Sequence, residues 1–147
     1  MSLLDFWLEK MNKKFTIHLH EAEKAGRHFD LRIEKDAVLK SWAARKIDQL
    51  VKGQVKKILL FQTEDHPLSW LNWEGELKSG YGKGVMTVWD FGTYEEIKWE
   101  ENIIIIYFHG KKIKGYYNIM SYDVGKRQNS FLMFKAKQYP NHFPKVR

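Results

Sequence analysis

The chain has no cysteine in its 147 residues. That absence excludes disulfides, thiolate nucleophiles and thiolate metal sites, and leaves histidine and carboxylates as metal-ligating side chains. Proline is scarce, at three residues. No Pro-rich linker, repeat or low-complexity tract breaks the chain, so a single domain over residues 1–147 is expected. No apolar run approaches the ~18 residues of a membrane helix, and Ile103 to Phe108 is strand-sized. The first six residues carry no basic segment ahead of an apolar stretch, so no secretory signal is read there. A cytoplasmic protein without a membrane partner is the expectation. Gly80-Tyr81-Gly82-Lys83-Gly84 lacks the spacing and the Lys-Ser/Thr end of a Walker loop, and no nucleophile elbow is present.

What is present is positive charge and aromatic surface. The formal net charge is +7 and aromatics make up 15% of residues. A small basic, aromatic-rich domain fits a nucleic-acid partner, and it equally fits a lysine-rich solvated surface.

The periodicity is that of strands. Ser2-Leu3-Leu4-Asp5 reads as a capping box, and Leu4, Trp7, Leu8 and Met11 follow at helical spacing, which predicts an amphipathic helix over 3–12. Beyond it, strands are predicted at 15–20, 29–34, 38–43, 57–63, 85–90, 94–99, 103–109, 114–122 and 131–137, with a short additional one at 70–76 and polar turns between them, including 123–130. Short strands at this spacing predict an all-β fold, a compact β-barrel or sandwich of eight or nine strands behind a short N-terminal helix.

From Phe29 the apolar residues alternate, so Phe29, Leu31 and Ile33 share one face and His28, Asp30, Arg32 and Glu34 the other. His20 follows Thr16 and His18 on a neighbouring strand. His20, His28 and Asp30 are therefore candidate ligands of one divalent metal. Imidazole and carboxylate suit Mn²⁺, Zn²⁺, Fe²⁺ or Co²⁺, and three protein ligands leave positions for water and substrate. The plainer alternative is ordinary solvated or internally satisfied histidines. His18 is a supporting group, an alternative ligand or a solvated histidine. His18-Leu19-His20 with Glu23 also resembles the metal box of cupins, although the glycine expected downstream is absent.

Arg32 offers a planar fork for phosphate, or else a structural ion pair with Glu34, Asp36 or an acid on the neighbouring strand. His66, in Glu64-Asp65-His66-Pro67, is expected in extended backbone at a strand end, placed to donate to a phosphate or a leaving oxygen, or to cap a turn. Lys46, Lys56 and Lys57 are candidate backbone-phosphate contacts. Tyr81 and Trp73 are candidate base-stacking groups, with barrel core or rim as their alternative.

In order along the chain stand Phe15-Thr16-Ile17-His18-Leu19-His20, His28-Phe29-Asp30-Leu31-Arg32-Ile33-Glu34, Val38-Leu39-Lys40-Ser41-Trp42-Ala43, Glu64-Asp65-His66-Pro67-Leu68, Trp73-Glu74-Gly75 and Val88-Trp89-Asp90-Phe91-Gly92-Thr93-Tyr94. This succession, from about Phe15 to Lys137, resembles the 3′-phosphoesterase domain of DNA ligase D, in its free-standing archaeal-like form. The resemblance implies a compact β-barrel that heals DNA or RNA-tipped primer-template 3′ ends. It removes a terminal ribonucleotide by a phosphodiesterase step, then a 3′-phosphate by a phosphomonoesterase step, and leaves a 3′-OH. It further implies dependence on a divalent metal, most often Mn²⁺ with Zn²⁺ or Co²⁺ as alternatives, held by His20, His28 and Asp30. Arg32 and His66 then attend the reacting phosphate, and Lys46, Lys57 and Trp70 contact phosphate or nucleic acid. Trp70 stands where the family often has a tyrosine, and Ile58 where it usually has a basic residue. A monomer working beside a separate ligase and polymerase is expected. Two other readings stay open: a non-catalytic nucleic-acid-binding barrel and a cupin-type metal oxygenase, the latter requiring His18 as a ligand.

Overall fold

Alternation of period two builds one continuous wall. The structure is a computed structural model that describes residues 2–11 (2–7 with side chains), 13–122 and 129–136. Its strands are β1 (Lys14–Ala22), β2 (Gly26–Lys35), β3 (Val38–Ala44), β4 (Lys57–His66), β5 (Gly75–Leu77), β6 (Gly84–Trp99), β7 (Ile103–Gly110), β8 (Lys114–Ser121) and β9 (Ser130–Lys135). They pair in the order β1-β2-β3-β4-β9-β8-β7-β6, and β6 pairs back onto β1. The result is the expected all-β barrel, closed by eight antiparallel strands, with β5 added to β6. Closure removes the free edges that an open sheet would present.

One face of each strand fills the interior. Phe15 and Ile17 of β1, Phe29, Leu31 and Ile33 of β2, Trp42 of β3, Leu60 of β4 and Ile106 and Phe108 of β7 are all buried in one core. Phe15 meets Phe108 edge-to-face at 4.8 Å between ring centroids, in the geometry that aromatic quadrupoles favour. The intervening residues of β1 and β2 (Thr16, His18, His20, Asp30 and Arg32) are also buried. They belong to the opposite face and carry the site described below.

Four expectations need correction. Gly84–Trp99 form one 16-residue strand, not two. Gly92 marks a close approach and not a turn, because a Cβ there would lie 2.1 Å from the His109 carbonyl oxygen. Strand β6 passes from β1 to β7 at this point. The strand expected at 70–76 is instead a 3-10 turn at Leu68–Trp70 followed by β5, because Pro67 ends β4 and tight backbone bonds such as Trp70 N–H to Pro67 C=O follow it. A five-residue helix, α2 (Ile47–Val51), was not foreseen, being too short for a helical period, yet Ile47 and Leu50 are buried. Helix α1 (Leu3–Met11) has its capping box, with Asp5 N–H donating to Ser2 Oγ at 3.1 Å. Of its expected apolar face, Leu4 and Trp7 are exposed, and the side chains of Leu8 and Met11 lie outside the described ones. Strand β9 ends at Lys135. Lys137 and most of the predicted 123–130 turn lie outside the described residues.

Candidate active site

The register of β1 against β2 pairs Thr16 with Arg32, His18 with Asp30 and His20 with His28. These residues therefore form a polar patch on the outer face of the barrel wall. Segment 66–86 covers it, through the Trp73 carbonyl, Gly82 and Met86.

His20, His28 and Asp30 each offer a ligand atom, and these atoms lie within 4.8 Å of one another. Each imidazole is fixed through one nitrogen. His20 Nε2 donates to the Gly82 carbonyl at 2.7 Å, and His28 Nδ1 donates to the Gly26 carbonyl at 3.2 Å. A carbonyl only accepts, so these nitrogens carry the protons. His20 Nδ1 then faces one Asp30 oxygen and His28 Nε2 the other, each at 3.3 Å. Two imidazole lone pairs and a carboxylate thus converge on one point, an arrangement that needs a cation. The donor set fits a divalent metal on this ground.

Burial acting alone would raise the Asp30 carboxyl, but hydrogen bonds from His20 and His28 and the Arg32 charge outweigh it and hold the group well below the usual carboxylate range. The hydrogen bond to Asp30 raises His20 above its ordinary value, so a proton and a metal compete for Nδ1.

Arg32 is almost fully buried. Its Nε donates to His18 Nδ1 at 3.1 Å and its Nη1 donates to Ser41 Oγ at 3.0 Å. Nη1 also lies 3.1 Å from His66 Nδ1, which donates to the Glu64 carbonyl at 2.9 Å. Its acidic partner is Asp30 at 3.6 Å, not Glu34 or Asp36 as sequence neighbours suggested. The guanidinium also sits 5.6 Å from the Trp70 ring centroid. His18 uses both nitrogens, since Nε2 donates to the Trp73 carbonyl at 2.9 Å. It is a neutral support for Arg32 and not a ligand, with its pKa lowered to about 4 by burial and by the Arg32 charge. The cupin-like reading, which requires His18 as a ligand, fails on this geometry. His66 ends β4 as expected, and its pKa is lowered by burial and by Arg32, so its ring is neutral.

A cleft of about 960 Å³ opens over the patch. Lys46, Lys57, Trp70 and Tyr81 line it together with the triad, Arg32 and His66. Lys56 and Trp73 are not among its lining residues; Trp73 packs on Trp70 instead. Sequence reasoning missed Ser41, Arg45 and Gly82. Ser41 was within reach, because β3 pairs it with Arg32 and alternation puts both on one face. Arg45 also lines the cleft, and its Nη2 donates to the Ala25 carbonyl at 3.2 Å, bracing the turn beside His28. For the Gly82 carbonyl no local signal exists, as it reaches His20 from 62 residues away.

Residues 18–121 match the family model described as the DNA ligase D 3′-phosphoesterase domain. The chain belongs to this family. Among its relatives is the multifunctional non-homologous end joining protein LigD of Mycobacterium bovis, 38% identical over 111 residues, or 72% of this chain and 14% of the relative. The LigD of Mycolicibacterium smegmatis is 33% identical over 145 residues, covering 90% of this chain and 18% of the relative. The LigD of Pseudomonas aeruginosa is 31% identical over 133 residues, covering 84% and 15%. The chain thus corresponds to less than a fifth of the length of these larger proteins. The matched residues 18–121 include His18, His20, His28, Asp30, Arg32, Ser41 and His66. Among the described residues, no helix is long and apolar enough to cross a membrane.

Proposed function

We propose that this chain is a divalent-metal-dependent phosphoesterase that heals DNA 3′ ends in non-homologous end joining. It removes a 3′-terminal ribonucleotide by diester cleavage and a 3′-phosphate by monoester cleavage, leaving a 3′-OH. The observation that carries the reading is the convergence of His20 Nδ1, His28 Nε2 and the Asp30 carboxylate beside a buried, charged Arg32. The family to which the chain belongs supports it. We assign Mn²⁺ to the triad, with Zn²⁺ and Co²⁺ as metals of the same ligand preference. When bound, the ion supplies a Lewis acid for a phosphate oxygen.

The protein's own groups account for the rest. Arg32 is held by His18, Ser41 and Asp30, so its fork is aimed before substrate arrives and loses no orientation on binding. It neutralises charge that develops on the phosphoryl oxygens. His66 Nδ1 lies 2.9 Å from the Glu64 carbonyl, which only accepts, so the neutral ring carries its proton on Nδ1 and leaves the Nε2 lone pair free. An entering phosphate dianion offsets the Arg32 charge that helps keep His66 neutral, so Nε2 takes up a proton and passes it to the leaving oxygen. Arg45, Lys46 and Lys57 line the cleft and hold the backbone of a DNA or RNA-tipped primer-template. A separate ligase would seal the resulting end after a polymerase extends it.

The test is a labelled primer-template with one 3′ ribonucleotide, incubated with Mn²⁺ or with chelator, and resolved by end chemistry. The expected products are a 3′-phosphate and then a 3′-OH, both only with metal. DNA retention without any metal-dependent product would replace this reading by the non-catalytic barrel.

A further inference from the structure

Tyr81 is the most exposed aromatic ring among the described residues, at 70%, and it lines the same cleft as the triad. A mobile loop would make that exposure incidental, but its mount is fixed. Lys83 N–H donates to the Gly80 carbonyl at 3.2 Å and closes a turn with Tyr81 at its tip. The next carbonyl, that of Gly82, accepts from His20 Nε2 at 2.7 Å, and Glu23 N–H donates to the Lys83 carbonyl at 2.8 Å. The ring is therefore carried one residue from an atom that touches the triad, on backbone tied down at both sides.

Charge is distributed unevenly along the cleft. On the β3–β4 side Arg45, Lys46 and Lys57 line it. On the side of β5 and the turn before β6 the lining is Leu77, Tyr81, Gly82 and Met86, with no cation. A strand ending in this cleft has its phosphates on one side of the reacting phosphorus only. Beyond that phosphorus lies the terminal nucleoside, which carries a base and a sugar and no further phosphate. The cationic side matches the retained strand, and the uncharged aromatic side matches the terminal nucleoside. A terminal base also has one face without a stacking neighbour, so a ring can cover it without first opening the stack.

Resting on the end-processing reading above, we propose that Tyr81 stacks on the base of the 3′-terminal nucleoside that leaves in the diester step. Tyr81 is thus a specificity residue that separates the two activities. Cleavage of a nucleoside-tipped end uses the ring. Hydrolysis of a 3′-phosphate, which has no nucleoside beyond the phosphorus, does not. The contact is present in both ground and transition states, so it acts on KM more than on kcat.

The experiment compares the full chain, Tyr81→Ala and Tyr81→Phe, with Mn²⁺, on three primer-templates. One ends in a ribonucleoside bearing 2-aminopurine, one in an abasic ribose and one in a 3′-phosphate. Tyr81→Ala should raise KM on the first by about 5- to 140-fold, the range of one lost base-aromatic stack, and leave the other two unchanged. Tyr81→Phe should restore the first, and the 2-aminopurine fluorescence should be quenched by the parent chain and Tyr81→Phe only. Equal losses on all three ends would show that Tyr81 only supports the Gly82 carbonyl beneath His20, and would overturn the proposal. Unchanged KM on the first end would overturn it as well, leaving an active enzyme with a solvated rim tyrosine. A parent chain that cleaves none of the three would overturn the end-processing reading and this proposal together.

Discussion

Arg32 and His18 face each other across β1 and β2, and Arg32 Nε donates to His18 Nδ1 at 3.1 Å in a buried setting. This bond requires a neutral His18. Its pKa falls from the ordinary 6.5 to about 4 through burial and the Arg32 charge. Between those values the unfolded chain binds a proton that the folded chain refuses. Stability therefore rises with pH across that window and is lost as pH falls through it. We expect a loss of about 3 kcal/mol between pH 6.5 and 4 from this group. His18→Gln, which keeps an acceptor for Arg32 and a donor for the Trp73 carbonyl, should flatten that part of the curve. Denaturant melts of both proteins across pH 4 to 7 are the check, and parallel curves would contradict it.

Arg32 and His66 should separate in their cost to the fold. Arg32→Ala leaves Asp30 short of a cation and removes the donor to both His18 Nδ1 and Ser41 Oγ. Breaking a buried pair of this kind costs about 3–5 kcal/mol. His66 is half-exposed at a strand end, so His66→Ala should keep its melting temperature. Both should lose roughly 10²-fold or more in rate, the scale of one lost oxyanion donor. Arg32→Lys should keep much of the stability and little of the rate, because an ammonium lacks the fork that meets His18, Ser41 and Asp30 together. Full activity in His66→Ala would remove it from the reaction.

Much of this was legible from the sequence, and the parts that were not share a cause. Alternation alone put His28, Asp30 and Arg32 on one face and Phe29, Leu31 and Ile33 on the other, and the barrel keeps both sets so. It also marks Thr16, His18 and His20 as one row. What alternation does not carry is the depth at which that row lies. A strand with polar residues on one face reads as half-solvated, whereas segment 66–86 covers this face and buries His18 and Arg32. The covering segment is itself the stretch read least well, because Pro67 and successive tight turns have no period. Asp90 shows the same limit. Within its motif it reads as polar, yet its carboxylate accepts the backbone N–H groups of Lys111, Lys112 and Ile113 and latches the β7–β8 turn onto β6. Contacts that span such distances leave no local pattern.

The proton on His20 and a metal compete for Nδ1. The hydrogen bond to Asp30 raises the His20 pKa above its ordinary 6.5, so apparent Mn²⁺ affinity should fall as pH drops, with a midpoint above that ordinary value. Gly82→Ala should weaken binding at every pH, since the added Cβ would lie 3.2 Å from His20 Cε1 and turn the ring from its carbonyl. Metal titration by electron paramagnetic resonance from pH 5.5 to 8.5 tests both. A pH-independent affinity would place the metal away from Nδ1.

Binding to a primer-template should weaken with salt in a way that counts phosphates. Lys46 and Lys57 are exposed and line the cleft, whereas Lys56 is exposed and is not among the lining residues. Each lysine that neutralises a duplex phosphate releases a counterion, so log affinity should fall linearly with log salt at roughly −0.9 per contact. Lys46→Ala should make the slope shallower by about one unit and leave sequence preference unchanged. Lys57→Ala should do the same, and Lys56→Ala should leave the slope where it is. The metal-dependent rate on a minimal phosphate ester should move little in any of them, because these side chains hold the strand and not the reacting phosphorus. If Lys56→Ala changed the slope and Lys46→Ala did not, the strand would run over a face other than this cleft, and the +7 net charge would mark that face instead.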